Sequence, residues 1–352
     1  VPPETDDGGD GGSGFVNPPL DCDEESVCGG QLIDVSLDIP NLYFVLDRSG
    51  SMLDRADASS DRTRYQVVRA AAGDLVEQLG PLIRVGAALF PLAPTEQAPC
   101  RDGGEVMAVG EVSSDEQSAR FRQQTNVVPR GGTPIAATLN GLIPVLEGLR
   151  GRTAVVLLTD GGPNCNETTS CGADTCIPNI EGFCDPGLNC CDPEDVPDAT
   201  FANCLDDSAT LSAVQTLRRQ TGADVYVIGI PGSEAYSDLL DQMATAGGTA
   251  LEGQLQRYYR VDDFEALGGV FSGIAGEQID CEVPLVTPPE NPALTNVYLD
   301  CDVVPQDIVN GWRFVGADNA SVLLLGDACA RLKSGAVDQV RVVFGCPTEQ
   351  PN

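Results

Sequence analysis

Between residues 39 and 277, short continuous apolar runs alternate with amphipathic segments of helical period. The runs LYFVL at 42–46 and TAVVLLT at 153–159 are apolar on both faces, whereas 64–79 places its apolar side chains on one side of a helix. Strands that are apolar on both faces are typical of a parallel sheet with helices on both sides. The pattern therefore predicts an α/β fold with a doubly wound, mostly parallel sheet.

The same periodicities place the other elements of this α/β segment. Gly222 marks the end of one helix, because glycine is often the first residue after a helix C-terminus. Further strands are expected at 84–92, 105–112 (as an edge), 224–230 and 258–261, and further helices at 133–149, 208–220, 237–246 and 264–274.

The two ends of the chain have a different character. Residues 1–38 form an acidic, Gly- and Pro-rich tether with a short loop between Cys22 and Cys28. Residues 278–352 contain short strand-like segments between turns, which predicts a small disulfide-linked β module. Within it, residues 332–343 are expected to form a hairpin.

Cysteines concentrate in residues 162–205, which show no periodicity and interrupt the α/β segment as an insertion. Seven of the fourteen cysteines lie there, and a segment without a core needs cross-links to hold its shape. Because seven is odd, one disulfide should leave the insertion. Cys100, in the turn after the strand at 84–92, is the expected partner.

The cysteine pattern also indicates a compartment. Fourteen cysteines without CxxC pairs indicate disulfides formed in an oxidising environment. There is no apolar run long enough for a membrane span, and the first residue is Val. We expect a mature secreted form whose signal peptide has been removed. The acidic Gly-rich start also suggests a lipid anchor upstream of residue 1, as in outer-membrane lipoproteins.

Charge and the lack of histidine exclude several functions. With 53 Asp and Glu against 20 Lys and Arg, the net charge is −33, so phosphate backbones and anionic lipid surfaces would repel the chain. Histidine is absent, which excludes a Ser-His-Asp triad and His-ligated metals. We do not predict an enzyme. A hydrolase that uses metal-activated water is the alternative, but no separate general base is recognisable.

Five oxygen-bearing side chains stand on three loops at the predicted carboxyl ends of the strands, where ligand sites of such sheets lie. Two carboxylates and three hydroxyls are hard ligands that suit an octahedral divalent cation, Mg²⁺ above all, with Mn²⁺ or Ca²⁺ as alternatives. The five are Asp47, Ser49, Ser51, Thr133 and Asp160. The alternative is that Asp47 and Ser51 only cap the following helix.

This arrangement of Asp-x-Ser-x-Ser, Thr and Asp in an alternating α/β frame resembles the von Willebrand factor type A (VWA) family, including integrin I domains. The resemblance covers residues 40–277, and the insertion departs from the compact family pattern. It implies a complete metal-ion-dependent adhesion site, at which the cation binds an acidic side chain of a partner. A second cation site at Asp54, Asp57 and Asp61 is possible, although a solvated acidic loop is the simpler interpretation.

The expected function is that of an extracellular or cell-surface adhesin that binds a carboxylate on a protein or a substratum. The cysteine richness, the acidic leader and the segment at 311–346 are similar to adhesins that serve gliding motility in myxobacteria. The alternative is a structural or assembly factor of the cell envelope that uses the same metal face. An intracellular chelatase-like subunit of the family is disfavoured by the cysteines.

Overall fold

The computed structural model describes residues 31–33, 39–110, 114–166, 187–196, 203–337 and 339–351. Within them the chain divides into two compact units. An α/β unit contains residues 39–279 and 333–335, and a β unit contains the rest. The predicted Cys22–Cys28 loop, the tether up to residue 30 and most of the insertion lie outside the described residues. No helix in the described part is long and apolar enough to cross a membrane.

The strands are β1 (Gln31–Ile33), β2 (Asn41–Asp47), β3 (Arg84–Phe90), β4 (Gly104–Met107), β5 (Thr153–Thr159), β6 (Asp224–Gly229), β7 (Tyr259–Arg260), β8 (Glu282–Pro284), β9 (Thr295–Leu299), β10 (Asp302–Val304), β11 (Trp312–Val315), β12 (Ser321–Leu324) and β13 (Val340–Phe344). The helices are α1 (Arg64–Leu79), α2 (Ser114–Gln124), α3 (Ile135–Glu147), α4 (Asp207–Thr221), α5 (Ser237–Gly247), α6 (Leu267–Gln278) and α7 (Asp327–Lys333).

The α/β unit is built on a six-stranded sheet in the order β4-β3-β2-β5-β6-β7. All neighbouring pairs are parallel except the edge pair of β3 and β4. From β2 the chain moves outward to β3 and β4 and then returns to add β5 on the other side of β2. The doubly wound α/β fold is thus confirmed, and its topological switch point lies between β2 and β5.

Apolar side chains of β2 pack on both faces of the sheet, as its continuous apolar run predicts. Tyr43 and Val45 belong to a buried core that includes residues of α3, α4 and α5. On the other face, Phe44 contacts Phe121 of α2 and Phe271 of α6 at ring-centroid distances of 5.3 and 5.5 Å. Helices of the described residues therefore pack on both faces of the sheet, and ligand sites of such folds lie at the carboxyl ends of the strands.

The β unit contains two antiparallel sheets, in the orders β1-β13-β9-β10 and β11-β12-β8. Trp312, the sole tryptophan, is fully buried there and donates its Nε1–H to the carbonyl of Val304 at 2.9 Å. A disulfide joins Cys281 to Cys329.

Two expectations for the β unit were wrong. The hairpin expected over 332–343 does not form, because its first two residues belong to helix α7, which ends at Lys333. The segment DACARLK consists mostly of residues with good helix propensity and buries Ala328 and Leu332 four positions apart. In addition, β1 lies in the segment assigned to the tether, yet it pairs with β13.

Candidate metal-binding site

The candidate site lies at the switch point, where β2 and β5 end side by side. Leu46 is paired in register with Leu158, so the next residues, Asp47 and Thr159, are neighbours at the carboxyl edge of the sheet. Both side chains are fully buried. The Thr159 hydroxyl donates to Oδ2 of Asp47 at 2.6 Å. The sheet itself therefore fixes the first carboxylate of the site.

The loop after β2 turns back over Asp47. The backbone N–H of Ser49 donates to Oδ1 of Asp47 at 2.7 Å, so each carboxylate oxygen of Asp47 accepts a hydrogen bond. The same turn brings the Ser49 and Ser51 hydroxyl oxygens to 3.1 Å from each other. The Ser51 hydroxyl in turn donates to Oδ1 of Asp160 at 2.7 Å. Hydrogen bonds therefore link four of the five predicted residues in one row, the first of them through the backbone N–H of Ser49.

The loop that precedes α3 is hydrogen-bonded to the loop after β2. The N–H of Gly50 donates to the carbonyl of Gly131 at 2.9 Å, and the N–H of Arg130 donates to the carbonyl of Arg48 at 2.8 Å. Gly131 has a φ of +87°, and a Cβ there would lie 2.6 Å from the carbonyl oxygen of Pro99. Glycine is required at this position for both conformation and space.

Thr133, the fifth predicted residue, is fully buried and is held to the loop after β5. Its N–H donates to Oδ1 of Asn164 at 2.6 Å, and the N–H of Asn164 donates to the Thr133 carbonyl at 3.0 Å. Asn164 was not identified from the sequence. The sequence feature that points to Asn164 is its position next to Cys165, because the disulfide of that cysteine anchors this loop.

The predicted disulfide between Cys100 and the insertion is confirmed, with Cys165 as the partner. A Cβ at Gly132 would overlap the sulfur of Cys165, so this disulfide packs against the loop that carries Thr133. Cys191 and Cys204 form a second disulfide in the described part of the insertion. None of the cysteines in the described residues is free.

Electrostatics favour a cation at this site. Burial, followed by the charge of Asp160, raises the pKa of Asp47 well above its usual value. Burial also raises the pKa of Asp160, although hydrogen bonds from Arg64 and Ser51 act in the opposite direction. Two adjacent buried carboxylates destabilise each other's charged forms, and a bound cation would compensate both.

Two arginines lie beside the site. Arg64, the first residue of α1, donates from Nη1 to Oδ2 of Asp160 at 2.7 Å. Arg48 is buried and donates from Nη2 to the carbonyl of Val128 at 2.7 Å, so it is paired within the protein. Arg64 was identified from the sequence only as a helix boundary.

The donor set fits a small, hard divalent cation. Carboxylate and hydroxyl oxygens are the hard ligands that such ions prefer. The Ser49 and Ser51 hydroxyl oxygens are 3.1 Å apart, and the Ser51 hydroxyl is 2.7 Å from Oδ1 of Asp160. Among the described residues, no group of three or more His, Cys, Asp or Glu could hold a metal. Hydroxyls would therefore have to complete the ligand set.

The acidic loop after the site has the features of a solvated turn. Asp57 is fully exposed and accepts hydrogen bonds from the N–H and hydroxyl of Ser59, both of which lower its pKa. The Asp54 side chain is 68% exposed. These contacts are those of an Asx turn and give no support to a second cation site.

No known family model matches the sequence, and no curated protein sequence matches it either. Among solved structures, the chain is similar to the PilB minor pilin from Streptococcus sanguinis, at 18% identity and a TM-score of 0.46, over 68% of this chain and 61% of that one. It is similar to the pilus adhesin SpaC from Lactobacillus rhamnosus GG, at 16% identity and a TM-score of 0.49, over 90% of this chain and 40% of that one.

A third similar structure is the vWF domain of the type V pili tip protein Mfa5 from Porphyromonas gingivalis. It has 12% identity and a TM-score of 0.43, over 68% of this chain and 94% of that one. The chain thus spans less than two thirds of the PilB and SpaC structures. All three TM-scores are below 0.5.

Proposed function

We propose that this protein is an extracellular or cell-surface adhesin that holds a divalent cation at Asp47, Ser49, Ser51, Thr133 and Asp160. It uses that cation to bind a carboxylate of a partner protein or a surface. The observation that carries the proposal is the hydrogen-bonded row at the switch point of the sheet: the Ser49 N–H donates to the buried carboxylate of Asp47, and the Ser49 and Ser51 hydroxyls continue the row to the buried carboxylate of Asp160.

The composition of the row favours binding over catalysis. Only two of the proposed ligands are anionic, so a bound divalent ion would keep enough positive charge to attract a carboxylate from outside. The four oxygens of Asp47 and Asp160 already accept hydrogen bonds within the protein. Hydrogen bonds from the protein therefore hold both carboxylates in place. Neither carboxylate has an oxygen free of hydrogen bonds that could act as a general base.

The disulfides support an extracellular location, because such bonds persist in oxidising compartments. We extend the proposal to an outer-membrane lipoprotein that acts in surface attachment such as gliding motility. This narrower part depends on the sequence resemblance alone. It would be tested by the cellular location of the full-length protein and by the motility of a deletion strain.

The adhesive role predicts that attachment requires both the cation and the Thr133 hydroxyl. Beads coated with wild-type protein should attach to the natural substratum in Mg²⁺ and lose at least about 90% of attachment in EDTA. Thr133→Ala should attach poorly in both conditions, because one proposed ligand is missing. The matched control is Thr221→Ala. It removes a threonine hydroxyl near the amino end of β6, away from the site, where the hydroxyl donates to the carbonyl of Leu217.

Equal attachment by wild type and Thr133→Ala in Mg²⁺ and in EDTA would show that this face is not adhesive. If isolated protein instead binds an envelope protein in a Mg²⁺-dependent manner while cells of a deletion strain attach normally, the protein is an assembly factor.

A further inference from the structure

Arg64 places a positive charge directly on one of the proposed ligands. Its Nη1 lies 2.7 Å from Oδ2 of Asp160, and the two side chains are 18% and 0% exposed. Gly232, in the loop between β6 and α5, encloses the pair from the other side. A Cβ on Gly232 would lie 2.8 Å from both Nη1 of Arg64 and the carbonyl oxygen of Asp160. The guanidinium is therefore seated at the site and does not extend into solvent.

The same guanidinium is close to a second, exposed carboxylate. Oδ2 of Asp54 lies 3.7 Å from Nη1 of Arg64, and the Asp54 side chain is 68% exposed. Asp54 is kept at the start of α1 because its carbonyl accepts the backbone N–H of Arg64 at 2.9 Å. Nε of Arg64 is buried without a hydrogen-bond partner. Arg64 thus has one short bond to the buried acid and an alternative acid within a short side-chain movement.

We infer that Arg64 is an internal counter-ion that competes with the divalent cation for Asp160 and turns toward Asp54 when the cation binds. The inference rests on the proposed function, because it assumes that Asp160 is a cation ligand. Its physical basis is that one carboxylate would face two positive groups. A divalent ion and a guanidinium on the same partly buried carboxylate repel each other strongly.

Two consequences follow for the affinity of the site. Arg64 should weaken cation binding, because the ion has to displace or repel the guanidinium. Asp54 should strengthen cation binding, because it accepts the displaced guanidinium. The effect of Asp54 on cation binding should therefore disappear when Arg64 is removed. If Asp54 instead attracted the ion directly, its effect would be the same with and without Arg64.

The test is titration calorimetry of the full chain with Mg²⁺ and Mn²⁺ at fixed salt. Arg64→Gln should bind either ion at least about tenfold more tightly than wild type, since it removes a positive charge next to the ion. Arg64→Lys keeps the charge and should stay within about threefold of wild type. The matched control is Arg62→Gln, since Arg62 is exposed and its side chain donates to the carbonyl of Gln66.

Asp54→Asn, a surface change that should leave folding intact, should weaken binding by about three- to tenfold in the wild-type background and have no effect in Arg64→Gln. In EDTA, Arg64→Gln should lower the thermal unfolding midpoint and Arg62→Gln should not, because only Arg64 pairs with a buried acid. The midpoint measurement does not depend on cation binding.

Unchanged or weaker cation binding by Arg64→Gln would overturn this inference alone. An equal loss on Asp54→Asn in both backgrounds would overturn the transfer to Asp54. If neither wild type nor Arg64→Gln binds a divalent cation, both this inference and the proposed function are wrong.

Discussion

At the scale of single residues, the charge of Asp47 is the least compensated feature of the site. Its two oxygens accept hydrogen bonds from the Ser49 N–H and the Thr159 hydroxyl. Neither donor carries a charge, whereas Asp160 has Arg64. Hydrogen bonds from neutral groups offset only part of the free energy needed to bury a carboxylate. Without a cation, Asp47 should therefore destabilise the folded state at neutral pH.

This predicts a pH dependence of stability in EDTA. Because the folded-state pKa of Asp47 is above its unfolded value, the folded protein binds more protons from about pH 4 upward. The free energy of unfolding should therefore fall as the pH rises through that window, by about 1.4 kcal/mol for each unit of pKa difference. Saturating Mg²⁺ should restore stability at pH 7. Urea unfolding at pH 4.5–7.5, with and without Mg²⁺, measures both effects.

Asp47→Asn should reduce this pH slope without abolishing it, since it removes one of the two site carboxylates whose pKa is raised and leaves Asp160. Asp224→Asn is the control, because Asp224 is a partly exposed acid paired with Arg218 at the opposite edge of the sheet. Both variants remove one negative charge, so the control also corrects for the general repulsion within a chain of net charge −33. An identical slope in wild type and Asp47→Asn would contradict the prediction.

At the scale of elements, four loops at the carboxyl edge are joined by hydrogen bonds and a disulfide. Backbone hydrogen bonds join the loop after β2 to the loop before α3, and the Cys100–Cys165 disulfide joins the loops after β3 and β5. The residue before Cys165, Asn164, holds the backbone of Thr133. Thr133 therefore owes its position to contacts that are remote in sequence.

Removal of the disulfide with Cys100→Ser and Cys165→Ser should loosen the Thr133 loop. We expect a loss of about 2–4 kcal/mol in stability and faster hydrogen exchange at the amides of Gly132 and Thr133. The matched control is Cys191→Ser with Cys204→Ser, which opens a disulfide within the insertion and should leave exchange at Thr133 unchanged. Equal protection of Thr133 in both double variants would show that the loop is held without the disulfide.

At the scale of the whole molecule, each of the two compact units has its own spectroscopic probe. The sole tryptophan, Trp312, is buried in the β unit, next to Phe314, whereas the candidate site belongs to the α/β unit. Tryptophan fluorescence should therefore report unfolding of the β unit, and far-UV circular dichroism should be dominated by the helices of the α/β unit.

We predict that the two signals respond to different treatments. Mg²⁺ at about 100 times its dissociation constant should stabilise the α/β unit by about 2.7 kcal/mol and raise the dichroism midpoint without moving the fluorescence midpoint. Cys281→Ser with Cys329→Ser should lower the fluorescence midpoint, since this pair closes a loop with a sequence separation of 48. Coincident shifts of both midpoints under both treatments would mean that the molecule unfolds as one cooperative unit.

Sequence by itself determined the α/β frame and the location of the candidate site. Continuous apolar strands and one-sided helices are local patterns, and they identify β2, β5 and α1 without knowledge of any contact. Parallel strands bring their carboxyl ends to one edge, so Asp47 and Asp160 could be placed together from sequence position alone. Their role as metal ligands stays a prediction.

Tertiary structure decided the features that depend on distant partners. Helix α2 has few apolar residues. The side chain of its Gln117 bonds to the N–H of Val85 and the carbonyl of Ile83 at the start of β3, a role that periodicity does not show. Strand β1 is identified only by its pairing with β13. Arg64 and Asn164 likewise have ordinary local sequences. They gain their roles because folding brings them onto Asp160 and Thr133 from 96 and 31 positions away, contacts that no local pattern encodes.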